Sequence, residues 1–355
     1  MRPAWGGAGH AGEAELMDSD ALSRLTPWLA DHIAGFQGPV TVEKFASGQS
    51  NPTFRLTTPG ADYVLRRKPP GQLLKSAHAV DREFRVQKAL ADTDVPVARV
   101  LALCDDDSIL GAMFYVMEHV PGRVILDPSL PGATPDQRGA HMAEMNRILA
   151  AIHEVDLAAC GLSDYGPPGD FYARQLGRWT KQYRASETGA LPEMDRLILW
   201  LESNLPEEDG QRCLVHGDYR IDNLLFAPEA PEIRAVLDWE LSTLGHPFAD
   251  LAGVIMQWQL PPGEEGRGLA GLDRAALGLP DDAAFLASYF DRRGIDPPDS
   301  FGFYLAFAFF RMAAILQGVK KRALDGSASN PEKGRRLGAF VPRFAELGLE
   351  AADAR

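Results

Sequence analysis

The chain has 355 residues, of which 45% are hydrophobic, and a formal net charge of −13 at pH 7. This length exceeds what a single hydrophobic core normally serves, so two lobes or domains are expected. The negative charge argues against a nucleic-acid or anionic-membrane surface, because both need a basic footprint.

No segment at the start of the chain resembles a secretion signal, since a basic start followed by an apolar run is missing. Nowhere do about 18 apolar residues follow one another without interruption. The nearest candidate, Phe301 to Ile315, is interrupted by Arg311, and we predict a buried helix there. The three cysteines lack the spacing of a disulfide framework or zinc site: Cys104, Cys160 and Cys213. A cytoplasmic location is expected.

The first 120 residues predict a helix followed by a small sheet. Residues 1–17 include a Gly/Ala-rich stretch and are expected to be disordered. A helix from Ser19 to Ile33 follows, with leucines along one face. Five short strands separated by turn residues are then predicted: Thr41 to Ala46, Thr53 to Thr58, Asp62 to Arg67, Val97 to Leu103 and Met113 to His119.

One helix, Ala79 to Leu90, interrupts these strands and carries Glu83 on its apolar face. An inward carboxylate needs a cation, and Arg66 on the third strand can supply it. The alternative is that Glu83 leans outward to Arg82 or Lys88 as surface charge.

After Pro121-Gly122 the pattern becomes helical, with Met142, Met145, Leu149 and Ile152 on one face. We therefore predict an N-lobe over residues 18–120 and a helical C-lobe over residues 121–355. His153 ends that helix and is interpreted as a residue that the helix dipole satisfies.

The segment His216-Gly217-Asp218 is followed by Asn223 and by Asp238-Trp239-Glu240. The apolar runs Leu224 to Phe226 and Ile233 to Leu237, with a turn between them, predict a hairpin carrying Asn223 and Asp238 at its open ends.

An isolated His-Gly-Asp is usually only a turn. Phosphoryl transfer, however, needs one carboxylate to orient the attacking hydroxyl and hard oxygen ligands to hold Mg²⁺. Asp218 meets the first need, and Asn223 and Asp238 meet the second. Further on, Pro247 suits a first helical turn and Asp250 suits the positive end of that helix.

The spacing of these residues, His-Gly-Asp, four residues, Asn, then Asp-Trp-Glu, resembles the aminoglycoside phosphotransferase and choline kinase-like family, from about Val40 to about Arg322. The resemblance implies an α+β, bilobal protein-kinase-like fold, with a small antiparallel-sheet N-lobe containing one key helix and a larger, mainly helical C-lobe. The first lobe looks most like the phosphotransferase domains fused to some acyl-CoA dehydrogenases, which implies a hydroxyacyl acceptor.

The resemblance also implies roles for residues that would bind nucleotide. Arg66 stands where kinase-like proteins place a phosphate-binding base on the third strand, although Arg66, Arg67 and Lys68 are contiguous and allow another register. The backbone from Glu118 to Val120 would meet adenine, or would be a plain edge strand. The phosphate-covering loop, which an ordinary hairpin turn would also explain, comprises Ser47, Gly48, Gln49, Ser50 and Asn51.

At the reacting centre the resemblance implies that Asp218 is catalytic, with His216 buttressing its loop and Asp250 bracing it. Glu240 replaces the Gly of protein kinases, which favours a small-molecule acceptor. We therefore predict an ATP- and Mg²⁺-dependent phosphotransferase acting on a hydroxyl of a small molecule. No nucleic-acid or membrane partner is expected, and a homodimer is left open. The alternatives are a catalytically silent nucleotide-binding module and, ranked last, a metal-dependent hydrolase using His216, Asp218 and Asp238.

Overall fold

A computed structural model describes residues 17–45, 51–69, 79–263, 267–328 and 330–354. The predicted disordered start, apart from Met17, lies outside these residues. The helices are α1 Ser19–His32, α2 Val80–Leu90, α3 Asp107–Leu110, α4 Pro135–His153, α5 Phe171–Ser186, α6 Pro192–Ser203, α7 Phe248–Trp258, α8 Arg274–Leu277, α9 Asp282–Arg293, α10 Gly302–Leu324, α11 Pro331–Gly338 and α12 Val341–Asp353. The strands are β1 Thr41–Lys44, β2 Thr53–Thr57, β3 Asp62–Arg67, β4 Val100–Cys104, β5 Phe114–Glu118, β6 Arg123–Val124, β7 Cys213–Val215, β8 Leu224–Phe226, β9 Ile233–Val236 and β10 Thr243–Gly245.

The chain forms two compact units. Unit 1 comprises Met1–Ile125, Ala158–Leu162 and Ile221–Ser242, and unit 2 comprises Leu126–Leu157, Ser163–Arg220 and Thr243–Arg355. The segment from Ile221 to Ser242 therefore groups with the sheet-rich unit, although it follows the predicted boundary at residue 121 by a hundred positions. The division into lobes at that boundary stays a prediction.

Unit 1 is built on a five-stranded sheet in the order β1-β2-β3-β5-β4, in which all neighbours are antiparallel. Helix α1 covers one face, because Leu25 and Leu29 are fully buried in a cluster with Leu65 and Phe114. Its N-cap, Asp18, accepts the Ala21 N–H at 2.7 Å, which satisfies one of the otherwise unpaired N–H groups at a helix start. All five predicted strands are present.

Helix α2 packs against β4 and β5 and buries the stripe that includes Glu83, Val86 and Leu90. The predicted hairpin is also found in unit 1: β8 pairs antiparallel with β9, and β6 pairs with β8 on the other side. These two features carry three carboxylates, Glu83 on the helix and Asp238 and Glu240 just after the second strand of the hairpin.

Unit 2 is mainly helical, and α10 is its central helix, packed by α5, α7, α11 and α12. Within the described residues it is also the one helix long and apolar enough to cross a membrane, but 61% of its most apolar window is buried inside the protein. The prediction of a buried helix around Phe301 to Ile315 is confirmed, because Phe307, Phe309 and Phe310 are all buried.

Candidate active site

In unit 1, Arg66 of β3 bridges two carboxylates. Its Nε lies 2.7 Å from Glu83 Oε2, and its Nη2 lies 2.6 Å from Asp238 Oδ1. The Glu83 side chain is only 1% exposed, which rules out the alternative of an outward-leaning surface charge. The predicted ion pair between the third strand and helix α2 therefore forms, with Arg66 rather than its neighbour Arg67, whose Nη1 donates to the Leu110 carbonyl.

Strand register explains how Glu83 acquires further donors. Arg66 is directly opposite Tyr115 in the β3–β5 pairing, so both side chains lie on the same face of the sheet. The Tyr115 hydroxyl donates to Glu83 Oε2 at 3.1 Å and accepts from Gln87 Nε2 at 2.9 Å. Burial raises the pKa of Tyr115 well above its ordinary value, which keeps this hydroxyl protonated as a donor.

The charges of the cluster oppose its burial. Burial lowers the pKa of Arg66, but Glu83 and Asp238 outweigh this effect and the pKa rises, so Arg66 stays charged. Burial also raises the pKa of Glu83, as does the charge of Asp238, against the opposing effect of Arg66. A buried carboxylate of this kind is tolerated only because it is paired and hydrogen-bonded.

Three carboxylates, Glu83, Asp238 and Glu240, each contribute an oxygen within 4.8 Å of the other two. The Arg66 guanidinium lies within 4.0 Å of all three carboxylates. Hard carboxylate oxygens are the ligands that Mg²⁺ prefers, and the donor set therefore fits this ion. Asp238 is 34% exposed and Glu240 is 20% exposed, against 1% for Glu83, so the two hairpin residues are the ones open to a ligand.

Asn223 and Asp238 lie at the same open end of the hairpin, as the sequence predicted. The Leu237 N–H donates to the Asn223 carbonyl oxygen at 2.8 Å, and this hydrogen bond joins the two strands next to Asn223 and Asp238. Asp238 has a left-handed backbone with φ 64°, a conformation that Asp and Asn adopt more readily than most residues. Its carboxylate reaches Arg66 from this position.

The prediction that Asn51 contacts phosphate differs from what the structure shows. It is fully buried, and its Nδ2 donates to Glu83 Oε1 at 2.8 Å and to Glu240 Oε2 at 3.3 Å. Its side chain therefore braces the two glutamates. The rest of the predicted phosphate loop lies outside the described residues: Ser47, Gly48, Gln49 and Ser50.

The predicted adenine-binding segment follows β5, which lies between β3 and β4, so the alternative of a plain edge strand is wrong. The Glu118 N–H donates to the Arg99 carbonyl at 2.9 Å and the His119 N–H donates to the Asp62 carbonyl at 3.3 Å. Among the described hydrogen bonds, none uses the Val120 N–H.

In unit 2, Asp218 lies on a loop whose backbone is held on several sides. The His216 N–H donates to Asp250 Oδ2 at 2.6 Å and the Gly217 N–H donates to Asp250 Oδ1 at 2.7 Å. The Asp218 N–H donates to the Nδ1 of the fully buried His216 at 3.3 Å. The positions of His216 and Asp250 thus agree with the bracing that the resemblance implied.

Arginines stand beside Asp218. Arg220 Nε is 3.4 Å from Asp218 Oδ1. From α10, Arg311 Nη2 donates to the Gly217 carbonyl at 2.8 Å, while its guanidinium lies 5.7 Å from the ring centre of Trp179. Asp218 itself keeps 32% of its side chain exposed, so it is held by its backbone and remains open to a substrate.

The interpretation of His153 as a dipole-satisfied helix end is wrong. Its side chain is completely buried, with Nδ1 2.6 Å from the Tyr289 hydroxyl and Nε2 3.3 Å from Asp250 Oδ2. Sequence reasoning also missed Tyr115, because its contact with Glu83 depends on strand register. It missed Arg311 as a site residue as well. The sequence did offer a signal for that residue, because Arg311 is a charged residue that interrupts an otherwise apolar helix.

The sequence profile of the phosphotransferase enzyme family, APH, matches residues 41–293. Acyl-CoA dehydrogenase family member 10 of Mus musculus is 49% identical over 335 residues, which cover 94% of this chain and 31% of that protein. Acyl-CoA dehydrogenase family member 11 of Rattus norvegicus is 43% identical over 339 residues, which cover 93% of this chain and 43% of that protein. The chain spans less than half the length of these curated relatives.

Among solved structures, a provisionally assigned aminoglycoside phosphotransferase from Ralstonia eutropha JMP134 has 51% identity and a TM-score of 0.87, covering 94% of this chain and 98% of that one. A thermostable mutant of aminoglycoside phosphotransferase APH(4)-Ia has 16% identity and a TM-score of 0.62, covering 94% of this chain and all of that one. The second likeness shows a shared fold alone.

Proposed function

The chain belongs to the phosphotransferase enzyme family, and from this premise we propose that it transfers the γ-phosphoryl group of ATP to a hydroxyl of a small molecule. The observation that carries the proposal is the Arg66 cluster, in which one cation is held by Glu83 and Asp238 at 2.7 Å and 2.6 Å. Kinase-like enzymes use this strand-to-helix ion pair to aim a basic group at phosphate.

Asp218 would orient the acceptor hydroxyl rather than act as a strong base, because the transition state of phosphoryl transfer is loose. Its loop suits that task, since Asp250 fixes the N–H groups of His216 and Gly217. Most of the acceleration then comes from positioning, which a rigid loop supplies.

Asp238 and Asn223 would hold Mg²⁺, with Glu240 next to them. When bound, the ion neutralises charge that develops on the phosphate oxygens. Arg66 would exchange its bond with Asp238 for a phosphate oxygen while Glu83 keeps its Nε in place. Ser47, Gly48, Gln49 and Ser50 of the predicted loop would cover the phosphates, and the backbone of Glu118 to Val120 would receive adenine.

We further propose a hydroxylated acyl compound as acceptor. The support is the sequence relationship to two proteins named acyl-CoA dehydrogenase family members, both matched over more than nine-tenths of this chain. Arg220 and Arg311 beside Asp218 would also attract an acceptor that carries an anionic group.

The test is a product screen with Mg-ATP by mass spectrometry. Hydroxylated fatty acids and their thioesters, with the hydroxyl at different positions, are compared with sugars and amino alcohols. We expect a gain of one phosphate on an acyl compound, and loss of that product in Asp218→Asn. A phosphorylated sugar or amino alcohol would overturn the acyl acceptor but keep the kinase. ATP binding without any product would support the silent module instead.

A second arm tests the metal through binding rather than turnover. Asp238→Asn preserves the left-handed backbone, because Asn tolerates it, and removes one charged ligand. We expect calorimetric affinity for ATP in excess Mg²⁺ to fall at least tenfold, with little change in the affinity for ATP in EDTA. Equal affinity of both proteins for Mg-ATP would exclude Asp238 as a ligand. Retention of Zn²⁺ or Mn²⁺ without nucleotide would favour the hydrolase.

A further inference from the structure

Four polar side chains in unit 2 form a hydrogen-bonded chain that ends at the loop carrying Asp218. Arg293 Nη1 lies 2.9 Å from the Tyr289 hydroxyl, which lies 2.6 Å from His153 Nδ1, and His153 Nε2 lies 3.3 Å from Asp250 Oδ2. Tyr289 and His153 are buried. The Arg293 side chain is 14% exposed, and its buried Nε is 3.5 Å from a carboxylate oxygen of the half-exposed Glu154.

The donor and the acceptor of each hydrogen bond in this series follow from its two end groups, the guanidinium of Arg293 and the carboxylate of Asp250. A guanidinium only donates, so the Tyr289 oxygen accepts from Arg293 and its own proton is available to His153 Nδ1. A carboxylate only accepts, so His153 Nε2 carries the proton toward Asp250. Burial lowers the pKa of His153 despite the opposing effect of Asp250, and a neutral ring has one bare nitrogen to accept from Tyr289.

Asp250 connects this series of hydrogen bonds to the loop that carries Asp218. Its two oxygens accept the N–H groups of His216 and Gly217 at 2.6 Å and 2.7 Å. Burial raises the pKa of Asp250, but His153 and the backbone donors outweigh it and the pKa falls below its ordinary value. The carboxylate therefore remains charged and its orientation fixes the peptide that precedes Asp218.

The relative lengths of the two bonds to His153 show which partner holds the ring. The contact with Tyr289 is short, at 2.6 Å, whereas the contact with Asp250 is 3.3 Å and near the limit of a hydrogen bond. Without the Tyr289 hydroxyl the ring would lose its tighter anchor. Asp250 would then lose a donor aimed at Oδ2 and could turn away from the two N–H groups of the loop.

We propose that Tyr289, oriented by Arg293, is a positioning residue for Asp218, acting through the ring of His153 and the carboxylate of Asp250. The proposal rests on the proposed function, because it assigns Asp218 to the acceptor. Nothing in the sequence around Tyr289 marks it for this role, since it lies on α9, more than 70 positions after the loop that it supports.

The experiment replaces Tyr289 by Phe, which deletes one oxygen and keeps the ring. Tyr172→Phe is the matched control, because Tyr172 is equally buried and its hydroxyl has no hydrogen-bond partner in the described part of the chain. Two readouts are used: steady-state kinetics with Mg-ATP and the best acceptor from the product screen, and NMR of protein labelled with ¹⁵N in histidine and glycine.

In the kinetics we expect kcat of Tyr289→Phe to fall about tenfold, with KM for ATP unchanged, because the Arg66 cluster keeps its contacts. In the NMR we expect wild-type His153 to carry its proton on Nε2. The Gly217 amide resonance should move in Tyr289→Phe and stay in Tyr172→Phe. A second variant, Arg293→Met, should shift the same amide less, and Arg293→Lys should restore it.

Two results would overturn the proposal: a wild-type His153 protonated on Nδ1, or a Gly217 amide that does not move in Tyr289→Phe. A fall in kcat of equal size in both Phe variants would also overturn it, because that would reflect general loosening of the core. If the wild-type protein phosphorylates no acceptor, the proposed function fails, while the NMR measurements still decide whether Tyr289 positions the loop. If Tyr289→Phe does not fold, the Arg293 variants decide.

Discussion

The Nη2 nitrogen of Arg66 lies 2.6 Å from Oδ1 of Asp238, a residue 172 positions further along the chain. The same guanidinium uses its Nε for Glu83 at 2.7 Å. An arginine can serve both carboxylates because its donors form a planar fork, whereas a lysine offers a single point charge. The arginine at this position therefore ties helix α2 to the end of the β8–β9 hairpin.

The first prediction concerns this buried pair. Arg66→Met should lower the free energy of unfolding by about 3–5 kcal/mol, because it leaves the buried carboxyl group of Glu83 without its cation. The double variant Arg66→Met with Glu83→Gln should lose less than Arg66→Met alone, since no uncompensated buried charge remains. Urea unfolding followed by circular dichroism measures both changes.

The control for this pair is Arg24→Met. Arg24 and its partner Asp20 are 44% and 85% exposed, and we expect a loss below about 1 kcal/mol. An Arg66→Met variant as stable as Arg24→Met would contradict the inference that burial makes the Arg66 cluster expensive to break.

The second prediction concerns the glycine before Asp218. Gly217 has φ 85°, so Gly217→Ala should cost about 1–2 kcal/mol of backbone strain and should also lower kcat at least tenfold, because the strain displaces Asp218. Gly210→Ala is the matched control, since Gly210 has φ 76° with open space around it. Thermal unfolding and turnover are measured for both, and similar turnover in the two variants would refute the prediction.

The third prediction concerns Arg311, which donates to the Gly217 carbonyl. Arg311→Met keeps the volume but removes the donor, so we expect kcat to fall about tenfold, with partial recovery in Arg311→Lys. Arg178→Met is the control: Arg178 also lies over Trp179, at 5.2 Å, but is exposed. The idea fails if both arginine-to-methionine variants lose the same activity.

The fourth prediction concerns acid sensitivity. Burial lowers the pKa of His119, His153 and His246 from the ordinary 6.5, against partial opposition from nearby carboxylates. The folded state thus prefers the neutral rings, and the unfolded chain takes up protons first. Stability should be complete above pH 6.5 and fall below it, by at most about 1.4 kcal/mol per pH unit for each ring.

Urea unfolding at pH 7.5, 6.5 and 5.5 measures this slope. His153→Gln and His246→Gln should each make it shallower, because each removes one ring that resists protonation. A stability that rises on acidification, or a slope that neither variant changes, would refute the assignment.

Features coded by short sequence patterns could be predicted. The family resemblance, carried by residues between His216 and Glu240, is confirmed, as is the kinase-like fold of a small antiparallel sheet and a helical C-terminal part. The β8–β9 hairpin and the inward face of α2 follow from alternation and helical periodicity. The pairing of Arg66 with Glu83 followed from the same periodicity together with the cost of an unpaired buried charge.

Contacts set by packing could not be predicted. The bonds of Asn51 to Glu83 and Glu240 join residues 32 and 189 positions apart, and the polar segment around Asn51 gives no sign of them in the sequence. The interpretation of His153 is wrong for the same reason: its place at a helix end indicates a ring satisfied by the helix dipole, and only the packing of α9 brings Tyr289 to it.

Helix α10 connects the loop that carries Asp218 with helices α11 and α12. It carries Arg311, whose guanidinium holds the Gly217 carbonyl, and α11 and α12 pack along the same helix. Phe344 of α12 is buried and contacts Phe309, two residues before that arginine. Loss of helix α12 would therefore disturb the helix that holds the Gly217 carbonyl, in a loop more than 120 residues earlier in the sequence.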